Sequence, residues 1–255
     1  MKSAPLDEMT AFLDDYLDVA SVADWSNALN GLQVENGGTV GRIVAAVDAS
    51  QATIDGAVAG GQPAPLVLVH HGLFWDGHIP VTGRRYRRIA ALLSHDMALY
   101  SAHLPLDLHP EVGNNVELAR VLEIPVGGWF GEHRGRPIGV WGDAERDRDE
   151  VVARLNQALD TDARLIAGGP PRSRRIGIIS GGAGDMIAAA ARIGCDTFVT
   201  GEGAHHTFFD ARELGVNVIY AGHYATEKLG VQALARVVSE RFGVPWEFHD
   251  HPTGL

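Results

Sequence analysis

The amino-acid sequence predicts an α/β fold made of two pseudo-symmetric halves. Short apolar runs typical of buried strands alternate with helical patterns along nearly all of the 255 residues. The halves also echo each other in spacing. In the first half a strand ends at Asp48, and His70 ends the next strand 22 residues later; in the second, Ser180 and Glu202 have the same relation. Because the carboxyl ends of parallel strands share one edge of a sheet, we expect these polar residues to gather there.

The first half, residues 1–124, begins with an amphipathic helix and continues as alternating strands and helices. Apolar residues at 6, 9, 12, 13, 16 and 17 follow the helical period over 6–20. Asn114 or Asn115 is the predicted N-cap of the last helix in this half. Apolar runs and helical periodicity predict the remaining elements in this order: strand 42–47, helix 52–59, strand 66–69, helix 86–94, strand 97–101 and a helix ending near 122.

A change in composition separates the halves. Residues 125–174 are richer in Gly, Pro and charge, and we interpret them as a connecting segment with a strand over 137–141 and a helix over 148–159. The second half, residues 175–255, resumes the alternation. Its predicted elements are strand 176–179, helix 185–193, strand 197–200, helix 205–214, strand 217–220 and helix 225–242.

Composition and charge exclude several classes of protein. The net charge of −11 argues against a nucleic-acid-binding surface, which needs clustered Lys and Arg. One basic run, Arg-Arg-Tyr-Arg-Arg over 84–88, is interpreted as a solvated helix face, with binding of a phosphate-bearing ligand as the alternative. The single cysteine, Cys195, excludes an internal disulfide and is interpreted as a buried structural thiol. An acidic N-terminus and the lack of a membrane-length apolar run lead us to expect a cytoplasmic protein without a membrane span.

Histidines and carboxylates follow three of the predicted strands. The clusters are His70-His71, His103 with Asp107, and His223 with Glu227. Each cluster alone has an ordinary alternative: a surface turn, a turn carboxylate, and a carboxylate near a helix N-terminus. Together they favour a site with imidazole and carboxylate ligands and no thiolate, which suits Zn, Fe, Mn, Co or Ni. Five or six ligands exceed the needs of one tetrahedral ion, so the sequence predicts two divalent metal ions.

Six short motifs, taken together, carry a family resemblance. They are Asn30–Gln33, His70–Gly72, Ser101–Asp107 leading to Gly113–Asn115, Ser180–Gly184, Thr200–Glu202, and Gly222-His223 with Thr226-Glu227. In this combination the sequence resembles the Nif-three-like (NGG-one-interacting-factor-three-like) family, whose members carry the name GTP cyclohydrolase 1 type 2 homologue. The resemblance spans nearly the whole chain.

The resemblance implies a fold of two α/β halves flanking a metal-lined cleft, assembled as a toroidal homohexamer. Either Asp107 or Glu227 would bridge the two ions. His103 matches a histidine that is a further ligand or lies just outside the site. The metal ligands implied for this chain are His70, His71, Asp107, His223 and Glu227.

The functional hypotheses differ in whether the metals drive catalysis. The first is a metal-dependent hydrolase acting on a nucleotide or related small molecule; the resemblance suggests GTP. In it, Glu202 is a candidate for proton transfer or substrate contact. The second is a metal-binding scaffold or interaction protein without turnover, and the third is hydrolysis of a phosphodiester or nucleotide phosphate. The glycine-rich stretch Ser180–Gly184 is interpreted as a tight turn, with anion binding as its alternative.

Overall fold

The computed structural model describes residues 3–255 and groups them into two compact units. The first unit comprises residues up to 106 together with 230–251, and the second comprises 107–229 together with 252–255. The boundaries predicted at 124 and 174 follow composition rather than spatial contact, and they stay a prediction. Among the described residues, no helix combines the length and apolar character needed to cross a membrane.

Helices and strands alternate along the described chain. Up to residue 101 the elements are β1 Ala4–Pro5, α1 Leu6–Tyr16, β2 Gly31–Val34, β3 Thr39–Val40, β4 Arg42–Asp48, α2 Gln51–Ala59, β5 Pro65–His71, α3 Gly83–Ser94 and β6 Ala98–Ser101. The chain continues with α4 Leu104–Asp107, α5 Asn114–Val121, β7 Gly128–His133, β8 Arg136–Asp147, α6 Arg148–Leu159, β9 Arg164–Ala167, β10 Arg172–Ile178, α7 Ile187–Arg192, β11 Thr197–Thr200, α8 Thr207–Leu214, β12 Asn217–Tyr220, α9 His223–Phe242 and β13 Trp246–Phe248.

The sheet of the first unit has the order β13-β4-β5-β6-β2. Strands β13, β4, β5 and β6 are parallel, and β2 runs antiparallel along β6. The three central strands are almost entirely buried, as expected for parallel strands covered on both faces. The parallel register aligns Asp48 with His71, so the carboxyl ends of β4 and β5 present their polar residues side by side.

The sheet of the second unit has the order β7-β8-β10-β11-β12-β9. Strands β10, β11 and β12 are parallel to one another, like β4, β5 and β6 in the first unit. The residues that follow their carboxyl ends are Ser180, Glu202 and His223. The equal spacing of polar residues in the two halves of the sequence therefore reflects two sets of three consecutive parallel strands. The predicted α/β fold class is confirmed.

Apolar side chains on alternate strand positions build the core of the second unit. Val199 and Ile219 belong to one buried cluster, while their neighbours Phe198 and Val218 belong to another. Successive strand residues point to opposite faces, so each face of the sheet has its own core. Full burial of one such side chain contributes about 1.5–3 kcal/mol. These cores hold the strand ends, and with them the polar residues, in fixed positions.

The strands absent from the sequence prediction lie mainly at sheet edges. β2, β7, β9 and β13 are the outermost strands of the two large sheets. Each is partly exposed, so its apolar signal is weaker than that of a central strand.

Helix ends also differ from the sequence prediction, as α1 and α5 illustrate. Helix α1 ends at Tyr16 rather than near residue 20, because Asp18 adopts a left-handed conformation with φ 51°. The prediction of Asn114 or Asn115 as the N-cap of α5 is wrong, since Gly113 occupies that position. Both asparagine side chains are buried and bond elsewhere in the second unit.

Candidate functional site

Three histidine rings lie together in the first unit. His70 and His71 end strand β5, and His103 follows the neighbouring strand β6. The ring centroids are 4.7 Å apart for His70 and His71, 4.9 Å for His70 and His103, and 5.6 Å for His71 and His103. One nitrogen from each ring lies within 4.8 Å of the other two, a spacing at which three imidazoles could hold one metal ion. The parallel sheet therefore brings these three predicted residues together.

Hydrogen bonds fix how each of these rings is oriented. In all three, Nδ1 faces an oxygen of the same unit: the Ala102 carbonyl at 2.9 Å for His70, the Asp48 carboxylate at 2.9 Å for His71, and the Asp24 carboxylate at 3.0 Å for His103. Because these oxygens accept hydrogen bonds, the proton of the neutral ring resides on Nδ1. The lone pair is then on Nε2, the arrangement typical of metal-ligating histidines with oxygen partners behind them.

The Asp24 carboxylate is held by several donors besides His103. It accepts hydrogen bonds from the Asn30 side chain at 2.8 Å and from the backbone N–H groups of Trp25 and Leu104 at 2.7 and 3.0 Å. Burial raises the pKa of Asp24, but the hydrogen bond and electrostatic attraction of His103, together with hydrogen bonds from Asn30 and the Trp25 backbone, outweigh it and lower the pKa to about 2. Asp24 is therefore ionised at neutral pH and fixes the His103 ring.

The Asn30–Gln33 motif supports the loops that carry the histidines. Asn30 accepts a hydrogen bond from the backbone N–H of His103 at 2.7 Å. Gln33 accepts one from the backbone N–H of Leu73 at 2.8 Å. A Cβ at Gly72 would lie 2.2 Å from the Gln33 amide, so glycine is required for this close approach. These contacts give a physical role to a motif that the sequence alone only matches to a family.

In the second unit, Asp107 lies beside the turn that follows β10. It is buried and accepts hydrogen bonds from Asn114 at 2.8 Å and from the Ser180 hydroxyl at 3.2 Å. Asn115 accepts a hydrogen bond from the Ser180 backbone N–H at 2.7 Å and so ties helix α5 to the same turn. The two asparagines therefore position Asp107 and the Ser180–Gly184 turn, which explains their place in the motif.

His223 and Glu227 project from the first turns of helix α9. Nε2 of His223 is 3.2 Å from Glu227, and Nδ1 is 2.8 Å from Glu202. Burial lowers the pKa of His223, but the two carboxylates more than compensate and raise it to about 9. Glu227 is buried, whereas the Glu202 side chain is about half exposed. Glu202 thus contacts a candidate ligand from the side open to solvent.

Gly181 allows its turn to pass directly over this pair. Its φ is +65°, and a Cβ there would lie 2.2 Å from the Glu227 carboxylate and 3.4 Å from His223 Nε2. Thr226 accepts a hydrogen bond from the Gly181 backbone N–H at 3.0 Å and locks the turn onto α9. The glycine-rich stretch therefore acts as a close-fitting turn over the two side chains.

Two tryptophans surround the histidine rings of the first unit. The Trp75 ring stacks on His71, with centroids 5.6 Å apart and an interplanar angle of 26°, and its edge meets His103 at 4.7 Å. Trp25 lies 5.4 Å from His103 and is 41% exposed. A groove of about 950 Å³ adjoins Trp75 in this unit, and its other lining residues include Asn27, Leu29, His78, Ile79 and Arg85. The groove offers space for a small molecule beside Trp75, whose ring stacks on His71.

Comparison with known proteins places this arrangement in a family. Residues 4–253 match the family described as Duf34/NIF3 (NGG1p interacting factor 3). The chain belongs to the DUF34/NIF3 family. A Deinococcus radiodurans protein named GTP cyclohydrolase 1 type 2 homolog is 43% identical over 251 residues, covering 98% of this chain and 94% of that protein. A Pseudomonas aeruginosa protein of the same name is 46% identical over 242 residues, covering 94% of each chain.

Solved structures agree with the NIF3 assignment. The protein ybgI, described as of unknown function, has a TM-score of 0.90 and 38% identity, with 99% of this chain and 100% of that chain covered. TTHA1606 from Thermus thermophilus has a TM-score of 0.89 and 39% identity over the same shares of the two chains. The NIF3 fold predicted from the sequence motifs is confirmed.

The donor set of this NIF3-family chain fits divalent metal ions. It consists of imidazole nitrogens and carboxylate oxygens, and the buried Cys195 bonds to none of them in the described residues. Nitrogen and oxygen donors of this kind suit Zn, Fe, Mn, Co or Ni. Candidate groups for holding metal are therefore present, and the individual ligand assignments stay a prediction.

The sequence did not predict the two carboxylates that bond to Nδ1 of His71 and His103. The position of Asp48 at the end of β4 could have indicated this role, because β4 pairs with β5 and aligns Asp48 with His71. Asp24 carried no such indication: it lies in a loop 79 residues before His103. Only the folded chain brings it to the ring.

Proposed function

We propose that this NIF3-family protein holds two divalent metal ions and uses them to hydrolyse a nucleotide or related small molecule. The proposed ligands are His70, His71, Asp107, His223 and Glu227, with His103 as a further ligand or a direct neighbour of the ions. The observation that carries the proposal is the triplet of histidines in the first unit, each with Nδ1 bonded to an oxygen acceptor. An oxygen acceptor at Nδ1 orients an imidazole ring for metal binding. Metal binding accounts for the presence of three such pairs in one cluster.

Bound divalent ions would supply an activated water and polarise the substrate. The chain's own residues would do the rest. Asp24 and Asp48 would hold their histidines in position, and Trp75 would form a wall next to the substrate. Glu202, half exposed and hydrogen bonded to His223, would accept or deliver a proton at its carboxylate.

GTP is the first substrate to test, because the curated relatives carry the name GTP cyclohydrolase 1 type 2 homolog. Metal-loaded protein should release formate from GTP, with about one formate per GTP consumed. The His71→Ala variant should lose this activity. His95→Ala is the matched control, because His95 is an exposed histidine of the same unit, at the end of α3. The Glu202→Gln variant should keep its metal and turn over at least tenfold more slowly.

Three outcomes of the same assay decide between the hypotheses. Formate release that depends on His71 supports the cyclohydrolase version. Phosphate release without formate supports hydrolysis of a nucleotide phosphate or a phosphodiester instead. Metal-loaded protein that converts none of these substrates contradicts hydrolysis and favours a metal-binding scaffold without turnover.

Assembly and location form part of the proposal as well. We infer a homohexamer in the cytoplasm, from the family resemblance and from the single cysteine of the chain. Light scattering of purified protein should give about six times the chain mass of 27.3 kDa. A mass of one or two chains at micromolar concentration would contradict the hexamer.

A further inference from the structure

The groove beside Trp75 in the first unit has mainly apolar walls. Its apolar lining residues are Leu29, Phe74, Trp75, Ile79 and Pro80. Leu29 and Ile79 are 49% and 41% exposed. Large apolar side chains that stay exposed together mark a binding surface more often than isolated ones do. The volume of about 950 Å³ is that of a site for a small molecule.

The charged side chains that line this groove are already paired. Among the described residues these are Asp76 and Arg85. Asp76 pairs with Arg85 through one carboxylate oxygen and with Arg84 at 3.0 Å through the other. Arg85 also donates to the backbone carbonyls of Gly77 and Ile79 at 2.7 and 2.8 Å. These side chains hold the loop in shape and offer a ligand no unpaired charge, so the groove suits an uncharged part of a ligand rather than a phosphate.

Neutral polar groups remain available in the same groove. The Asn27 amide donates to the Trp75 carbonyl at 2.7 Å, which fixes the side chain and leaves its Oδ1 as an acceptor. Ser26 and His78 also line the groove, and both are exposed. Apolar and aromatic walls with a few fixed hydrogen-bonding groups are typical of sites that hold a planar heterocycle such as a nucleobase.

Trp75 connects the groove to the histidine cluster, because it lines the groove and also stacks on His71 at 5.6 Å. We propose that the groove binds the base of the nucleotide substrate. Asn27 Oδ1 accepts a hydrogen bond from an N–H of the base, and Leu29 and Ile79 pack against the ring. The inference rests on the proposed function for the nucleotide, but binding of the base itself requires no turnover.

Calorimetric titration of metal-loaded protein with guanosine tests this groove, because guanosine carries the base without a phosphate. Wild-type protein should bind, and Leu29→Asn should weaken the affinity at least about fivefold through the loss of apolar contact. Asparagine suits the left-handed backbone at this position, φ 44°, so the variant should fold. Leu93→Asn is the matched control: Leu93 is an exposed leucine of the same unit outside the groove, and the affinity should change less than about twofold.

A second variant tests the aromatic wall. Trp75→Leu keeps apolar bulk but loses the ring, and it should also weaken guanosine binding at least about fivefold, the lower end of what one base–aromatic stack contributes. D-ribose, which lacks the base, should not compete.

Several results would overturn the base site. These are no binding of guanosine by wild-type protein, equal affinities of wild-type and Trp75→Leu protein, equal weakening by Leu29→Asn and Leu93→Asn, and competition by D-ribose. Light scattering covers the other possible occupant. If wild-type protein does not bind guanosine and Leu29→Asn alone lowers the assembled mass, the groove is a contact between copies of this chain.

Metal content and kinetics separate this inference from the proposed function. If protein that takes up no metal binds guanosine in a Leu29-dependent way, the base site stands and the hydrolase proposal fails. If wild-type and Leu29→Asn protein hydrolyse GTP with the same KM, the base site fails and the hydrolase proposal stands.

Discussion

The Asp24 carboxylate contacts Nδ1 of His103 with both of its oxygens at 3.0 Å. It thereby fixes a ring whose other nitrogen belongs to the histidine cluster of the first unit. Asp48 does the same for His71 at 2.9 Å. The pattern repeats at two rings in one unit, so the carboxylates are part of the candidate site even though neither is a proposed ligand.

Replacement of Asp24 by Asn should weaken metal binding about 10- to 100-fold. Asparagine keeps the shape but loses the charge that orients and polarises the His103 ring. The measurement is competition for a divalent ion against a chelator of known affinity. Asp55→Asn, an exposed aspartate on helix α2, is the control and should change nothing. Equal affinities of wild-type and Asp24→Asn protein would show that His103 lies outside the metal site.

The Gly181→Ala variant should lose metal and stability together. Its Cβ would meet the Glu227 carboxylate at 2.2 Å and displace it. Gly215→Ala is the matched control, since Gly215 also has a positive φ, +69°, but a Cβ there meets nothing within 4 Å. The control should lose only about 1–2 kcal/mol in the free energy of unfolding and keep its metal. Chemical denaturation and metal analysis of both variants check this, and identical behaviour would contradict the role given to Gly181.

The Cys195 thiol should resist modification in the folded protein. Burial raises its pKa to about 12, and the charge of Arg175 offsets this only in part. The thiolate is the reactive form, so reaction with a disulfide reagent at pH 8 should be negligible and should increase only as the pH rises towards 12. Unfolded protein should react fully at pH 8. Complete labelling of native protein within minutes would contradict a buried structural thiol.

The sequence predicts the central strands of both sheets and misses the edges for one reason. Fully buried strands such as β4 and β11 leave continuous apolar runs, whereas the edge strands β2 and β13 mix exposed and buried positions. The positions of the histidines follow from the same logic, because parallel strands end at one edge of a sheet.

Other parts of the site depend on contacts that no local pattern encodes. Asp24 reaches His103 across 79 residues, and Gln33 reaches Leu73 across 40. Asn114 and Asn115 look like helix caps in the sequence, but in the fold they position Asp107 and the Ser180 turn. Side chains of this kind are recognised only when the folded chain brings their partners to them.

Metal stoichiometry is the most direct test of the central claim. Protein loaded with a divalent ion and freed of excess should carry two ions per chain by elemental analysis and native mass spectrometry. His71→Ala and Glu227→Ala should each carry one ion or none, while His95→Ala should carry two. Wild-type protein that binds no ion, or variants at His71 and Glu227 that retain both ions, would contradict the proposed dinuclear site.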